Sequence, residues 1–222
     1  MFELWKDDMS RVRLDANSQV SSYIGSVWID RTNWTDVAGV TYPYSIGTVG
    51  IPDGTVFVLF GTTDGQDISI EWVQQAAGYK ILHLLGSGRA GITIYCFGAR
   101  NVTGSNSGFQ LLDTAGNITF DSQAKWMRIA GVINGPALGV QYPLPSGVPV
   151  VAAGLSFRGT WVRRNMLGSL PAWIALTQSI KVATTGVTIG QIARQRPQAA
   201  NPPANSPQPP TGSIIFADVT RY

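Results

Sequence analysis

The sequence contains few of the side chains that enzymes and metal sites depend on. Its 222 residues include one histidine, His83, and one cysteine, Cys96. A zinc site needs three or four ligands, and these two residues cannot supply them. The Gly-x-Ser-x-Gly motif of serine hydrolases does not occur in the sequence. We therefore expect no catalysis, no metal and no cofactor. His83, with a structural hydrogen bond, and Cys96 are expected to be structural residues of strands.

Charged residues are also scarce. They make up 13% of the chain, whereas about 25% is usual for soluble domains. The net charge is +3, and the basic residues are scattered along the chain. Nucleic-acid binding needs a stripe of Lys and Arg, so we expect no nucleic-acid partner. The low charge predicts that neighbouring subunits cover much of the surface.

The sequence lacks the long apolar runs of membrane helices and secretory leaders. The first eight residues are acidic and have no apolar core. The longest uncharged stretch, 129–157, contains four prolines, which rules out a spanning helix. We therefore expect synthesis in a cytoplasm without insertion into a membrane.

Good helix formers are few and turn formers are many. Glutamate occurs only at Glu3 and Glu71, while the chain has 25 Gly and 13 Pro. Val, Ile, Thr and aromatic residues are frequent between the turns, which favours strands over helices. The composition predicts an all-β fold.

Two parts of the sequence resemble each other. Residues 2–27 contain two short apolar runs around a polar turn, followed by a longer strand-like run, and residues 109–133 contain the same series. The starts of the two series are 107 positions apart, and Gly25 and Gly131 are 106 apart. Because apolar residues alternate on both sides of the turn, each series predicts a β-hairpin followed by a strand.

A weaker similarity continues to the end of each half. Residues 91–96 (Gly-Ile-Thr-Ile-Tyr-Cys) resemble residues 212–217 (Gly-Ser-Ile-Ile-Phe-Ala), and both predict a final strand. The matches occur in the same order, which indicates an internal duplication. We therefore predict two tandem β-sandwich domains of the jelly-roll-like type, at 1–103 and 108–222, joined by the polar, Gly/Ser-rich segment 101–108.

The second half contains a proline-rich insertion. Residues 194–211 are rich in Pro, Ala, Asn and Gln and have no apolar period. Such a segment buries little apolar surface by itself, so we expect it to be disordered or to form an extended arm ordered by another subunit. The residues assigned to this assembly arm are Arg194, Arg196, Pro197, Pro202, Pro203, Pro207, Pro209 and Pro210.

Aromatic residues are the remaining candidates for a binding site. The chain has seven Trp and seven Tyr. We expect Trp28 and Trp126, which lie in strand-like runs, to fill the core. Aromatic residues near turn signals are more often exposed at protein or sugar interfaces. The predicted sugar- or partner-binding residues are Trp34, Tyr42, Tyr44, Trp161, Arg163 and Arg164.

The second copy of the repeated segment has a recognisable pattern. Residues 109–122 read Phe-Gln-Leu-Leu-Asp-Thr-Ala-Gly-Asn-Ile-Thr-Phe-Asp-Ser, and Met127-Arg-Ile follows. This pattern resembles a segment of tailed-bacteriophage tail-tip and tail-fibre-associated (baseplate) structural proteins. The first copy departs from it, since Leu14-Asp-Ala replaces Phe-Asp-Ser and its turn lacks glycine. The resemblance implies a virion tail protein, made in the host bacterial cytoplasm and assembled in several copies with other tail proteins.

These observations leave two main classes of function. The first is a structural virion component of a phage tail tip or baseplate. The alternative is a carbohydrate- or receptor-binding module, an adhesin on a tail fibre that recognises a host surface glycan. An enzyme is the least supported class. Glycan binding lost in Trp34→Ala would favour the adhesin, and a stable multi-copy complex without glycan binding would favour the structural component.

Overall fold

The structure of the chain is a computed structural model. It describes residues 2–5, 11–14, 22–38, 42–98, 110–112, 114–116, 118–121, 125–156, 160–167, 170–196, 212–220 and 222. These residues form β-strands, turns and one short 3-10 helix, Arg31–Asn33, and they contain no α-helix. The all-β prediction is confirmed.

The strands follow the turn signals of the sequence. In the first half they are β1 (Phe2–Trp5), β2 (Arg11–Leu14), β3 (Ser22–Ile29), β4 (Trp34–Val37), β5 (Tyr44–Pro52), β6 (Phe57–Phe60), β7 (Ile68–Ala76), β8 (Tyr79–Gly86) and β9 (Ile92–Gly98). In the second half they are β10 (Gln110–Leu112), β11 (Ile118–Asp121), β12 (Arg128–Ile133), β13 (Gln141–Tyr142), β14 (Val151–Leu155), β15 (Thr160–Leu167), β16 (Leu170–Ala183), β17 (Gly186–Arg196) and β18 (Ile214–Asp218).

Two large antiparallel sheets contain most of these strands. One sheet has six strands in the order β12-β18-β14-β6-β9-β3. The other has the order β13-β17-β16-β7-β8-β5-β4, and β15 pairs with β16 beside this path. The hairpins β1–β2 and β10–β11 are separate two-stranded sheets. These hairpins and the strands that follow them, β3 and β12, confirm the secondary structure predicted from the repeated segments.

The hydrophobic core lies between the two large sheets. Strand alternation points Ile92 and Ile94 of β9 inward from one sheet, and Leu82 and Leu84 of β8 inward from the other. One cluster of buried side chains includes residues of both sheets and both halves of the chain. The described strands therefore form a β-sandwich with a shared core.

A second, smaller cluster lies on the outer face of the six-stranded sheet. Leu59 and Phe97 are fully buried there, and Tyr23 and Tyr222 pack over them. The rings of these two tyrosines stack with centroids 4.6 Å apart. The Tyr222 hydroxyl donates a hydrogen bond to the Trp126 carbonyl. The centre of this sheet is thus buried on both faces.

The two halves share both sheets, in contrast to the expected pair of separate sandwiches. Strand β6 pairs with β14, and β7 pairs with β16. In separate sandwiches β6, β7, β14 and the part of β16 that β15 does not cover would be open edges, and unpaired edges invite uncontrolled association. Pairing them closes two edges in each sheet. The predicted linker 101–108 lies outside the described residues, so the domain limits 1–103 and 108–222 stay predictions.

Apart from β4 and β15, which have no counterpart in the other half, the strand order of each sheet is the same when read from either edge. In the six-stranded sheet, β3, β9 and β6 of the first half correspond to β12, β18 and β14 of the second. In the other sheet, β5, β8 and β7 correspond to β13, β17 and β16. This order agrees with an internal duplication, which itself stays an inference.

β-Bulges occur at matching positions of the two halves. The register shifts between Tyr23 and Gly25 in β3, and between Ile129 and Gly131 in β12, so both pairs are 106 positions apart. Gly25 is opposite Cys96, whereas Gly131 is opposite Phe216. In the structure, therefore, β9 and β18 correspond at an offset of 120 residues, from Cys96 to Phe216. The sequence similarity of 91–96 to 212–217 placed the two strands one residue further apart. A one-residue slip reverses the faces of a strand, and both Cys96 and Phe216 face the core.

Gly154 lies where the backbones of β14 and β6 approach closely at the junction of the halves. A Cβ atom at this position of β14 would lie 2.9 Å from both the Leu59 side chain and the Val58 carbonyl oxygen. Only glycine therefore allows β14 to pack this closely against β6.

Gly154→Ala should destabilise the protein because the new methyl group overlaps β6. Overpacking of this kind costs about 1–3 kcal/mol, which for a chain of this length lowers the Tm by roughly 2–12 °C. Gly50→Ala is the matched control, since its Cβ would meet only the Tyr79 ring at 3.6 Å. Thermal unfolding that gives both variants the wild-type Tm would contradict the shared-sheet junction.

Candidate functional site

Trp34 belongs to the core, which corrects its assignment to a binding surface. Its side chain is only 3% exposed, and its Nε1 donates a 2.8 Å hydrogen bond to the Ala90 carbonyl. A Cβ atom on Gly47 would be 2.9 Å from the indole ring. Trp34 thus fastens the β8–β9 connection to β4, and its burial leaves no ring face for a sugar.

The other predicted binding residues are not brought together into one described site. Tyr42 and Tyr44 are half-buried beside the start of β5. Trp161, Arg163 and Arg164 lie in β15 and are paired with Leu176, Ile174 and Trp173 of β16. The side chains of the three β15 residues lie outside the described part of the structure, so their binding role stays a prediction.

Part of the predicted proline-rich arm is a regular strand. The β16–β17 ladder continues to the pair Trp173–Arg196, so Arg194 and Arg196 belong to β17 and not to an irregular segment. Backbone pairing with β16 overrides the weak local pattern of these residues. The remaining assigned residues, which all lie in 197–211, are outside the described residues: Pro197, Pro202, Pro203, Pro207, Pro209 and Pro210.

Arg194 forms an ion pair that connects the two halves. Its Nη1 donates to Oε1 of Glu71, and both side chains are mostly buried. The Nε of Arg194 is buried and has no hydrogen-bond partner among the described residues. Glu71 lies within the β7 bulge between Ile70 and Trp72. Because a partly buried charge needs its counter-ion, this pair is a structural link and not an exposed interaction arm.

Acidic and basic residues meet in the connections at one end of the first half. Arg31 donates to Asp64 Oδ2 at 3.0 Å, and the Gly91 N–H donates to the same oxygen at 3.0 Å. The backbone of Asp64 has φ of +50°, a conformation that Asp and Asn adopt more readily than most residues. These bonds hold the β6–β7 and β8–β9 connections together.

A second ion pair lies nearby. Arg89 contacts Asp36 Oδ2 at 2.9 Å, and the Ser45 hydroxyl donates to Asp36 Oδ1 at 2.7 Å. Hydrogen bonds from Arg89 and Ser45 lower the pKa of Asp36 below its usual value. Within the described ranges, no three His, Cys, Asp or Glu residues lie close enough to bind one metal ion. Both carboxylates thus anchor neighbouring segments of the chain: Asp64 accepts from Arg31 and Gly91, and Asp36 of β4 accepts from Arg89 and from Ser45 of β5.

Cys96 and His83 lie in strands, as predicted. Burial raises the pKa of the Cys96 thiol to about 11, so it stays protonated at neutral pH. His83 stacks on Trp72 with ring centroids 3.7 Å apart. Its Nε2 is buried and lacks a hydrogen-bond partner among the described residues. The structural hydrogen bond expected at His83 is therefore not formed by its Nε2 among the described residues.

The exposed aromatic residues are not those chosen from the sequence. Trp72 and Tyr79 are 48% and 47% exposed on the outer face of β7 and β8. Trp28, expected in the core, is 59% exposed. It lies opposite Thr93, whose neighbours Ile92 and Ile94 face inward, so Trp28 faces outward. The indole packs over Gly91, a contact between distant parts of the chain that no local sequence signal reveals.

An apolar patch lies on the edge strand β12, and sequence reasoning did not find it. Ile129 and Val132 are 57% and 49% exposed. In a regular strand, residues three apart face opposite sides, but the bulge between Ile129 and Gly131 turns both to the outer face. Val132 lies opposite Ile215, which is half-buried. We call Ile129, Val132 and Ile215 the β12 patch.

Comparisons with known proteins add no assignment to this picture. No protein-family model, curated protein or solved structure matches the chain. In the described part of the chain there is no helix with the length and apolar character needed to cross a membrane.

Asp64→Asn should lower stability at neutral pH but not in strong acid. The Gly91 N–H and then Arg31 hold the pKa of Asp64 below its usual value, although desolvation opposes them. The ionised carboxylate therefore adds stability above pH ~4 that is lost as the pH falls through its folded pKa.

We expect Asp64→Asn to lower the Tm by about 2–4 °C at pH 7, corresponding to about 1 kcal/mol. Wild-type protein measured in parallel should lose this advantage towards pH 2. Since Asp30 and Asp36 are present in both proteins, the difference reports Asp64 alone. A Tm difference that does not change with pH would show that the carboxylate charge is not involved.

Proposed function

We propose that this chain is a non-enzymatic structural subunit of a bacteriophage tail tip or baseplate, where it assembles with other tail proteins. The β12 patch is the observation that carries the assembly role. The resemblance of residues 109–122 to tail-associated proteins supports the choice of the virion tail. The proposal places the protein in virions after synthesis in the host bacterial cytoplasm.

The β12 patch has the character of an interface and not of a protected edge. Among the described strands, β12 pairs only with β18. Natural edge strands are commonly blocked by charged residues. The charge on β12 is Arg128, which is bound to Asp218 at 2.9 Å across the sheet. The rest of the strand, Ile129–Ile133, is uncharged and leaves its backbone and two apolar side chains for a partner.

The pairing of the inner strands strengthens the case that the β12 edge is an interface. The halves already use their inner edges on each other, through β6–β14 and β7–β16. The far edges of the six-stranded sheet, β3 and β12, are left to meet other molecules. The start of β3 is partly covered, since the Tyr23 N–H donates to the Lys125 carbonyl. This contrast favours β12 as the principal contact.

Val132→Lys should prevent assembly without unfolding the subunit. An ammonium group buried unpaired in an apolar interface costs several kcal/mol, so we expect at least tenfold less chain in assembled particles. Val56→Lys is the matched control, because Val56 is 76% exposed in the β5–β6 turn. Tagged variants would be expressed in the strain that carries the gene, and the chain in gradient-purified particles measured by immunoblotting.

The control decides how the result is interpreted. Loss in Val132→Lys alone, with an unchanged Tm, supports assembly through β12. Equal loss in both variants, or normal incorporation of Val132→Lys, would show that this edge is not the interface. Immunogold labelling of wild-type particles should mark the tail end, and labelling of the capsid or of no particle would overturn the tail assignment.

The carbohydrate-binding alternative rests on a different surface from the one expected. Trp72 and Tyr79 expose aromatic rings on the outer face of β7 and β8, and Gln74 and Thr48 are exposed beside them. Stacking on His83 fixes the Trp72 indole before a ligand arrives. An apolar sugar face could pack on such a ring while its hydroxyls meet the polar side chains.

Trp72→Ala should abolish glycan binding if this alternative is correct. A glycan array would be probed with wild-type protein, Trp72→Ala and Trp28→Ala. Trp28 is a suitable control because it is equally an exposed tryptophan but lies on the six-stranded sheet. We expect a loss of at least tenfold for Trp72→Ala only. No signal with the wild type, or equal loss in both variants, would eliminate a glycan site at Trp72.

A further inference from the structure

A cavity of about 570 Å³ opens between the two sheets, where β6 begins and β14 ends. Its floor is formed by core side chains that are at most 2% exposed, including Ile68, Leu82 and Ile180. Val56 and Val73 stand at its mouth and are 76% and 49% exposed. An apolar surface thus continues from solvent into the core.

The cavity results from how the two halves join. Strands β7 and β16 are paired at Ile68–Ile180, with no further ladder pair among the described residues. The β7 bulge between Ile70 and Trp72 then changes the register of the strand. Val73 and Gln75 lie beyond this bulge and line the cavity. The space is therefore built into the junction.

Lys80 provides the distinctive polar group of the cavity. It lies opposite Ile51, so its side chain starts from the core-facing side of β8. Its Nζ donates to the Thr55 carbonyl at 2.7 Å, and it takes part in none of the described ion pairs. The nearby carboxylate of Asp53 accepts a 2.6 Å hydrogen bond from Gln75. Lys80 is thus a cation with no acidic partner among the described ion pairs, and it stands in a predominantly apolar cavity.

We propose that this cavity binds a free medium-chain fatty carboxylate. The alkyl chain would lie on the Ile68, Leu82 and Ile180 floor, and the carboxylate would accept from the Lys80 ammonium. The volume is within the usual range for small-molecule sites, and such sites combine apolar walls with a few fixed polar groups. Besides Lys80, the polar side chains of the described lining are Thr55, Gln75 and Ser156. A sugar would leave hydroxyls unpaired against the apolar floor, and a nucleotide would find one cation in this lining.

Chain length and head group provide two independent tests. Isothermal titration of the full chain with hexanoate, octanoate and decanoate should show affinity rising about fourfold for each added methylene. Lys80→Met should weaken decanoate by about tenfold and decanol much less, because only the carboxylate forms a charge-assisted hydrogen bond between opposite charges with the ammonium. Lys181→Met is the control on β16 and should bind decanoate like the wild type.

A third variant tests the location. Val73→Trp should fill the mouth and abolish decanoate binding, and its thermal unfolding would verify the fold. Affinity that does not depend on chain length, equal loss in both lysine variants, or full binding by Val73→Trp would each overturn the proposal. Binding only to phosphatidylglycerol vesicles and not to free decanoate would also overturn it. The result is independent of assembly, because no residue of the cavity belongs to the β12 patch.

Discussion

The pairing of the two halves through their inner strands is the constraint on which the rest of the structure depends. Among the described residues, one ladder pair joins β6 to β14 and one joins β7 to β16, and the Thr63 N–H donates to the Val182 carbonyl at 2.9 Å. Buried side chains strengthen the second contact, since the Ser69 hydroxyl donates to the Gln178 carbonyl at 2.8 Å and Thr63 bonds the backbone of Val182. Buried polar groups of this kind are costly to separate, so the halves hold a fixed register.

This junction also determines where binding surfaces can lie. Once the inner edges are used, the free edge of the six-stranded sheet in the second half is β12, and its bulge turns Ile129 and Val132 outward. The same junction separates β7 from β16 beyond Ile68, which leaves the cavity at Lys80. The interface and the cavity are thus two consequences of one packing arrangement, although they occupy different parts of it.

Local features of the fold could be predicted from the sequence, but the contacts between halves could not. Alternation and turn residues identified both hairpins and the final strands, because these depend on neighbouring residues. The joining of β6 to β14 depends on the absence of side-chain atoms at Gly154, which no periodic pattern reveals. The sequence predicted a buried Trp28 and an exposed Trp34, and the structure shows the reverse. The reason is related, because the bulge in β3 sets the face of Trp28 and a hydrogen bond to the distant Ala90 carbonyl holds Trp34 in the core.

The structure explains part of the low charge of the chain. Part of it is explained within the subunit, since the six-stranded sheet buries Leu59, Phe97 and Ala217 on its outer face under Tyr23 and Tyr222. A sheet covered on both faces needs apolar residues at consecutive positions and leaves little room for charge. The composition alone therefore does not demand covering subunits. Strand β12 supports assembly instead, because its uncharged residues remain exposed although the chain covers the same sheet elsewhere.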